Sequence, residues 1–509
     1  MAETSTVDAV VETKHTVRVP ASVSRICLTA GAVFSLFLWG FWERGVYALG
    51  LNAALLLLLI ASSALLSLAH FSQSNDTLTA WTKHWQWWIP IVLVIVSYAL
   101  YENPFIKACH FLFLPAAIGV VCYTQLGIKA TAIFRDPIQI FGMCVSAWCA
   151  PFTGFGQALR ECIRQYTVLR ATLFIQNYRP LYSVLKGLLI LLPLALLVVI
   201  PLLASADMQF AAELEDVLKS ISGFVEWLVN HSLLYRLISA LLVATLALAA
   251  CIMWNSPQKT VQTDTSMRDS ITAAIVLGGL LALYLCFLFI QFDRLWLDVL
   301  PTSFKATELY VKRGFWQLVS LSAINLVLVF AYFQRTNTLT QYFLYAFVAA
   351  SLLLLGSASH RMFLYTSYYG FSYEKFYASY AVVYCILIFA LIAHGLIRSN
   401  AQLVLMRCVL LLLWMYALIS VFPTEYFIVR ANLTLSERPQ ARLQLSDLKE
   451  LSIDALPVIS ANIHRLSAAT PSEKSWEGCQ QWIIESRNDA SYRPWYEHTL
   501  SSLYTSTAL

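Results

Sequence analysis

Charge is what this sequence has least of. Only 12% of its 509 residues are Asp, Glu, Lys or Arg, about half the share of an ordinary soluble domain, while 59% are hydrophobic. So few charges cannot cover a water-facing surface. The net charge of +5 is dispersed, with no basic block of the kind that grips nucleic acid. There are eleven cysteines but no C-x-x-C pair, and most of them, including Cys122, Cys251, Cys286, Cys385 and Cys408, lie in apolar runs where a thiol acts as a small hydrophobe. Walker phosphate loops, H-E-x-x-H, G-x-S-x-G and zinc-type Cys/His clusters are all missing. Gly154-Phe155-Gly156 lacks the third glycine of a dinucleotide fingerprint. No cofactor and no metal are expected.

Long apolar runs are what is present. They lack the three-in-seven stripe of a soluble amphipathic helix, and each approaches the twenty or so residues that cross about 30 Å of hydrocarbon. Spans are predicted at Cys27 to Trp42, Val46 to Ala69, Gln86 to Tyr101 and Phe105 to Leu126, then at Ser183 to Ser205, Leu233 to Asn255 and Ile271 to Phe292. Four more follow at Gly314 to Phe333, Gln341 to Ser359, Tyr373 to Ile397 and Leu403 to Phe422. The expectation is an all-α, polytopic transmembrane bundle of about eleven spans carrying a small helical C-terminal extramembrane domain. Its parts are a polar tail (1–26), a four-span segment (27–126), a basic amphipathic loop (127–182), a seven-span core (183–422) and the C-terminal domain (423–509). The polar start with the apolar run Cys27 to Trp42 that follows it reads as a retained anchor rather than a cleaved signal.

The loop after the fourth span carries Lys129, Arg135, Arg160, Arg164, Arg170 and Arg179 against Asp136 and Glu161, so the positive-inside rule places it in the cytoplasm with the N-terminus. The acidic stretch Asp207 to Glu226 then falls outside, and so does the C-terminal domain. Asp293 to Arg313 goes against this count, being basic where it should be external. Ile138 to Phe152 is read as interfacial. Arg160 and Arg164 share a helix face after it and, with Arg170, are expected to meet anionic lipid headgroups. No Asp, Glu, Lys or Arg falls near the middle of a predicted span, which argues against an ion-coupled carrier. Asn325 is the deepest polar group, read as an interhelical hydrogen bond.

Several motifs resemble a bacterial membrane family known only as a domain of unknown function, the 4153/4173 type. Lys186 to Asp207, K-G-L-L-I-L-L-P-L-A-L-L-V-V-I-P-L-L-A-S-A-D, is similar to its G-L-L-x-x-L-P-L run ending in A-S-A-D. Tyr310 to Leu318, Y-V-K-R-G-F-W-Q-L, resembles its Y-x-R-R-G-F-x-E-L, with Gln317 in place of the acid. Arg361 to Lys375, R-M-F-L-Y-T-S-Y-Y-G-F-S-Y-E-K, resembles its R-M-x-L-Y-x-x-x-Y-G-L-T-x-x-R. Arg430-Ala431-Asn432 stands where the family has R-Y-N, and Leu448 to Pro457, L-K-E-L-S-I-D-A-L-P, is similar to its L-x-x-L-S-x-D-A-x-P. The resemblance implies a topology and no activity.

On the predicted topology the polar motif residues converge on the outer face. The candidate site is a cluster of Asp207, Arg313, Gln317, Arg361, Lys375, Arg430 and Asp454, in which carboxylates oppose arginines. Such pairs can equally serve only to dock the C-terminal domain. The functional expectation is a non-enzymatic envelope sensor or scaffold. The alternatives are a transporter or channel for a small or lipid-like solute, and a membrane enzyme acting on lipid headgroups. No protein partner is indicated.

Overall fold

A computed structural model describes residues 19–71, 77–125, 137–174, 233–255, 270–295, 320–322, 324–330, 332, 338–398, 401–438, 448, 451–468, 481–486, 488 and 493–508. All regular structure among them is helical. Six helices are long and apolar enough to cross a membrane: α2 (Leu51–Phe71), α4 (Pro104–Gln125), α7 (Leu233–Trp254), α9 (Thr338–Tyr369), α10 (Tyr373–Arg398) and α11 (Ala401–Val421). A seventh exists if α1 (Ala21–Phe37) and the turn Phe41–Ala48, bent by 60° from it, count as one broken span.

The predicted eleven are therefore not reached among the described residues. Of the missing ones, α3 (Thr77–Leu100) is apolar only over Trp85–Leu100, and α8 (Ser270–Leu295) and the stretch Ser320–Phe330 are each apolar over shorter lengths. Ser183 to Ser205 lies outside the described residues.

Small residues set how closely the helices approach. A Cβ on Gly31 of α1 would come 2.2 Å from the Ala240 carbonyl oxygen of α7, and one on Gly119 of α4 would come 2.2 Å from Ala147 Cβ. Ala147 belongs to α5 (Pro137–Thr153), the segment expected to lie at the interface. One face of α5 packs on α4 and α7, with Ala147 and Ala150 fully buried and Trp254 Nε1 donating to the Ala147 carbonyl at 2.9 Å. Alanines and a facing glycine make that seat possible. Phe141 and Phe152 stay exposed on its outer face.

The chain then turns at Gly154 into α6 (Phe155–Phe174), which bears Arg160, Arg164 and Arg170. Arg160 is exposed, and Arg164 donates to the Glu161 carboxylate at 2.9 Å.

Asn325, fully buried, accepts from Tyr284 Oη of α8 and donates to Ser351 Oγ of α9 at 2.8 Å. This is the interhelical bridge expected of it.

At one end of the bundle the α3–α4, α9–α10 and α11–α12 junctions meet the polar segments near the C-terminus. These are α12 (Thr424–Ser436), the turn Ile453–Ala455, α13 (Leu456–Ala461), α14 (Ile463–Ala468) and α15 (Leu500–Ala508). Their small core joins Ile428, Val429, Leu433, Leu448, Leu451, Ile459 and Leu466, with Phe371, Tyr373 and Phe376 of the bundle and Trp482 packed against it.

Candidate functional site

Three chain turns build the site. The first is Tyr101-Glu102-Asn103-Pro104. Proline presets the first helical residue of α4, and Asn103 Oδ1 accepts from the Ile106 amide at 3.1 Å as an N-cap. Residues 103, 107 and 110 follow at helical spacing, so Asn103, Lys107 and His110 share one face. Asn103 Nδ2 donates to Tyr377 Oη of α10 at 2.8 Å, and Lys107 Nζ donates to the Leu49 carbonyl. His110 lies between Ser97 Oγ and Tyr416 Oη, each 2.8 Å from a ring nitrogen. Glu102, 1% exposed, forms an ion pair with the equally enclosed Arg493.

The second turn is Phe422-Pro423, where α11 stops and α12 begins. It puts Glu425, 2% exposed, in the first turn of α12, where its carboxyl accepts from Tyr373 Oη, from the Ser452 amide at 2.8 Å and from Ser452 Oγ at 3.0 Å. The third turn supplies that serine. Ser452 caps the 3-10 turn by accepting from the Asp454 amide at 3.3 Å, and Asp454 Oδ2 accepts from the Glu102 amide at 2.7 Å. One L-S-I-D motif thus holds two different helix junctions, with Leu448 and Leu451 anchoring it in the core.

These turns enclose a cavity of about 390 Å³. Ser97, Lys107 and His110 line it from the bundle, Glu425 and Arg430 from α12, and Asp454, Ala461, Ser501 and Tyr504 from the segments above. Burial pushes the Glu425 carboxyl up to about 8, the neighbouring charge of Asp454 adding to the shift while hydrogen bonds from Tyr373 and Ser452 oppose it. Burial, and then the charge of Glu102, push Asp454 up to about 6. Asp454 Oδ1 is buried and makes no hydrogen bond of ordinary geometry among the described residues, although the Ser501 hydroxyl lies close enough to stabilise its charge.

Of the expected cluster, Asp454 and Arg430 line this cavity. Arg430 is exposed, its guanidinium 5.9 Å from the Tyr426 ring centre. Arg361 and Lys375 do not line it. Both are buried, and Lys375 Nζ lies 5.0 Å from the Tyr365 ring centre. Asp207, Arg313 and Gln317 lie outside the described residues.

Glu102, Lys107, His110, Glu425 and Arg493 are the residues that sequence reasoning did not single out. For Glu102, Lys107, His110 and Glu425 the signal was available as charged or polar groups within a turn or two of the ends of apolar runs, whereas Arg493 lies in the polar C-terminal stretch with no such mark. The other expected motif also has a local reason. Gly370, at φ +77°, ends α9, and Asn432 of the R-A-N triplet accepts from the Phe371 amide at 2.6 Å and donates to its carbonyl at 2.9 Å.

A bundle of apolar helices, capped at one end by polar helices over a closed ionic network, defines a polytopic membrane protein. The sequence matches the family described as Domain of unknown function (DUF4153) over residues 88–462, and the chain belongs to that family. No curated protein and no solved structure matches it.

Proposed function

We propose that the chain is a non-enzymatic membrane receptor whose cavity at the helix ends receives a small polar molecule. The observation that carries this reading is the cavity itself. Its volume is in the range of small-molecule sites, and its walls are shared between the spans and the C-terminal segments, so an occupant touches both. A structure that only docked its C-terminal segments would close that space with side chains.

The basic stretch 127–182 orients the bundle with α6 in the cytoplasm and the cavity on the extracytoplasmic side of a bacterial inner membrane. The exposed Arg160, together with Arg164 and Arg170 on the same helix, then serves anionic headgroups of the inner leaflet. Asn325 spends its polar atoms on Tyr284 and Ser351, which removes the support for a solute path through the bundle. One observation favours an enzyme on lipid headgroups instead: neither Glu425 nor Asp454 is ion-paired to an arginine among the described residues.

The test is native mass spectrometry of the purified chain released from nanodiscs, for wild type, Ser501→Phe, which intrudes on the cavity, and Leu500→Phe, which faces outward on the same helix. A stoichiometric small-molecule adduct on wild type and Leu500→Phe that is lost from Ser501→Phe supports the receptor. An adduct-free wild type, or one indifferent to Ser501→Phe, overturns it. Consumption of the adduct on standing would move the reading to an enzyme.

A further inference from the structure

Four charged side chains meet at the base of the cavity and balance one another among the described residues. Glu102 and Asp454 are negative, and Lys107 and Arg493 positive, all four facing one another at the base of the site. That leaves Glu425, enclosed and lining the cavity, with hydroxyl and amide donors but no ion pair among the described residues. The cations inside are already engaged, Lys107 with the Leu49 carbonyl and Arg493 with Glu102 and the Tyr47 carbonyl. Asp454 Oδ1 is a second enclosed acceptor with no hydrogen bond of ordinary geometry among the described residues. At the mouth the sign reverses: Arg430 is exposed, stacks over Tyr426 and makes no ion pair among the described residues. Ile106, Ile419 and Phe422 add apolar surface to the lining.

We propose that the occupant is a zwitterion carrying a primary ammonium, seated with the ammonium between Glu425 and Asp454 and its anionic group at Arg430. This rests on the receptor reading above and specifies its ligand. A primary ammonium brings three donors and a full charge, matching the Glu425 carboxyl, which has no ion pair among the described residues, the Asp454 carboxylate and a hydroxyl-bearing wall. An anion entering first would meet the carboxylates, whereas one held outside meets a guanidinium built for phosphate or carboxylate. A phospholipid headgroup of the ethanolamine type and a free aminoalkyl phosphate share this chemistry.

The proposal has a proton signature. Glu425 carries its proton at neutral pH, and the incoming ammonium makes ionisation favourable, so one proton passes from that carboxyl to solvent as the ligand binds. Affinity then rises with pH, by up to about 10-fold per unit as pH approaches 8.

The experiment titrates the full chain in maltoside micelles with phosphoethanolamine by calorimetry in buffers of different ionisation enthalpy. In parallel, native mass spectrometry follows uptake of phosphatidylethanolamine against phosphatidylglycerol. Glu425→Gln, which keeps shape and the Ser452 contacts, is run beside wild type, with thermal unfolding as the check on its fold.

Binding of phosphoethanolamine with proton release, abolished by Glu425→Gln, establishes the site with the headgroup alone sufficient. Uptake of phosphatidylethanolamine only, also abolished by Glu425→Gln, establishes it with the lipid as source. If either ligand binds as well to Glu425→Gln as to wild type, or phosphatidylglycerol is taken up equally, the zwitterion inference is overturned. It is likewise overturned, with the receptor left standing, if neither probe binds while the purified chain still carries a Ser501→Phe-sensitive adduct. With neither probe bound and no such adduct, the receptor reading fails as well.

Discussion

Glu425 faces Tyr373, Tyr377, Ser452 and Asp454, and none of these is a cation. Its carboxyl is raised well above the value it has in an unfolded chain, so the docked structure holds a proton that the undocked one gives up. The stability this contributes is complete below about pH 4.5, falls as pH rises and is gone above about 8; Asp454 adds a smaller loss between about 4 and 6. Thermal unfolding of the chain in detergent should therefore show a Tm that declines from pH 5 to pH 8. Glu425→Gln should flatten that decline, and an equally steep slope in the variant would show that other groups are responsible. Asn432 offers a second check that involves no charge. Asn432→Ala removes both bonds to Phe371 and leaves a partly buried amide without its acceptor, at a cost of about 1–3 kcal/mol in denaturant unfolding.

Among the elements, the contact between α1 and α7 depends on Gly31, and that between α4 and α5 on Gly119. A leucine at either position has nowhere to go without parting two helices, so each should lower stability by about 1–3 kcal/mol. Gly279 on α8, whose Cβ would meet nothing within 4 Å, should accept alanine with no loss. Measuring the three variants together separates crowding from any general intolerance to added bulk.

The elements themselves were largely legible in the sequence, because a run of apolar residues long enough to cross hydrocarbon has few other ways to satisfy its backbone. What could not be read was which neighbours each run packs against. Ile138 to Phe152 is as apolar as several spans, and its seat against Gly119 and Trp254 is made by alanines that no apolar pattern singles out. The site was partly legible for a related reason. Asp454 and Arg430 stand out as polar motif residues, whereas the partners of Asp454 and of Arg493 come from Glu102, separated from them by 352 and 391 positions. No spacing rule reaches that far. Arg361 and Lys375 carried the same sequence signal as Asp454, and yet both are buried, Lys375 over the Tyr365 ring, and neither lines the cavity.

For the whole molecule, the C-terminal segments act as a clasp. Arg493 pairs with Glu102 between α3 and α4, and Glu497, 1% exposed, pairs with Arg44 at 2.6 Å in the turn after α1. The Glu497 backbone lies so close that a Cβ on Gly50 would be 2.3 Å from its carbonyl oxygen. Arg493→Ala leaves Glu102 enclosed without its cation, a loss of about 3–5 kcal/mol for such pairs. Limited proteolysis should then cut the segment after α14 far faster than in wild type, while α9 to α11 stay protected. Uniform protection would mean that the apolar contacts of Trp495 and Tyr496 with Phe37 hold the clasp by themselves.

The 391 positions between Glu102 and Arg493 are also an interval of time. At about 5–20 residues per second of synthesis, roughly 20–80 s pass between the emergence of the acid and that of the base that neutralises it. Throughout that interval the carboxylate at the rim of the first helices has Lys107 nearby but not the arginine that pairs with it in the finished structure. The nascent protein must keep that rim wet, or protonated, until its last segment arrives. A ribosome that stops early therefore leaves behind a bundle whose end cannot be sealed, and whose exposed acid marks it as unfinished.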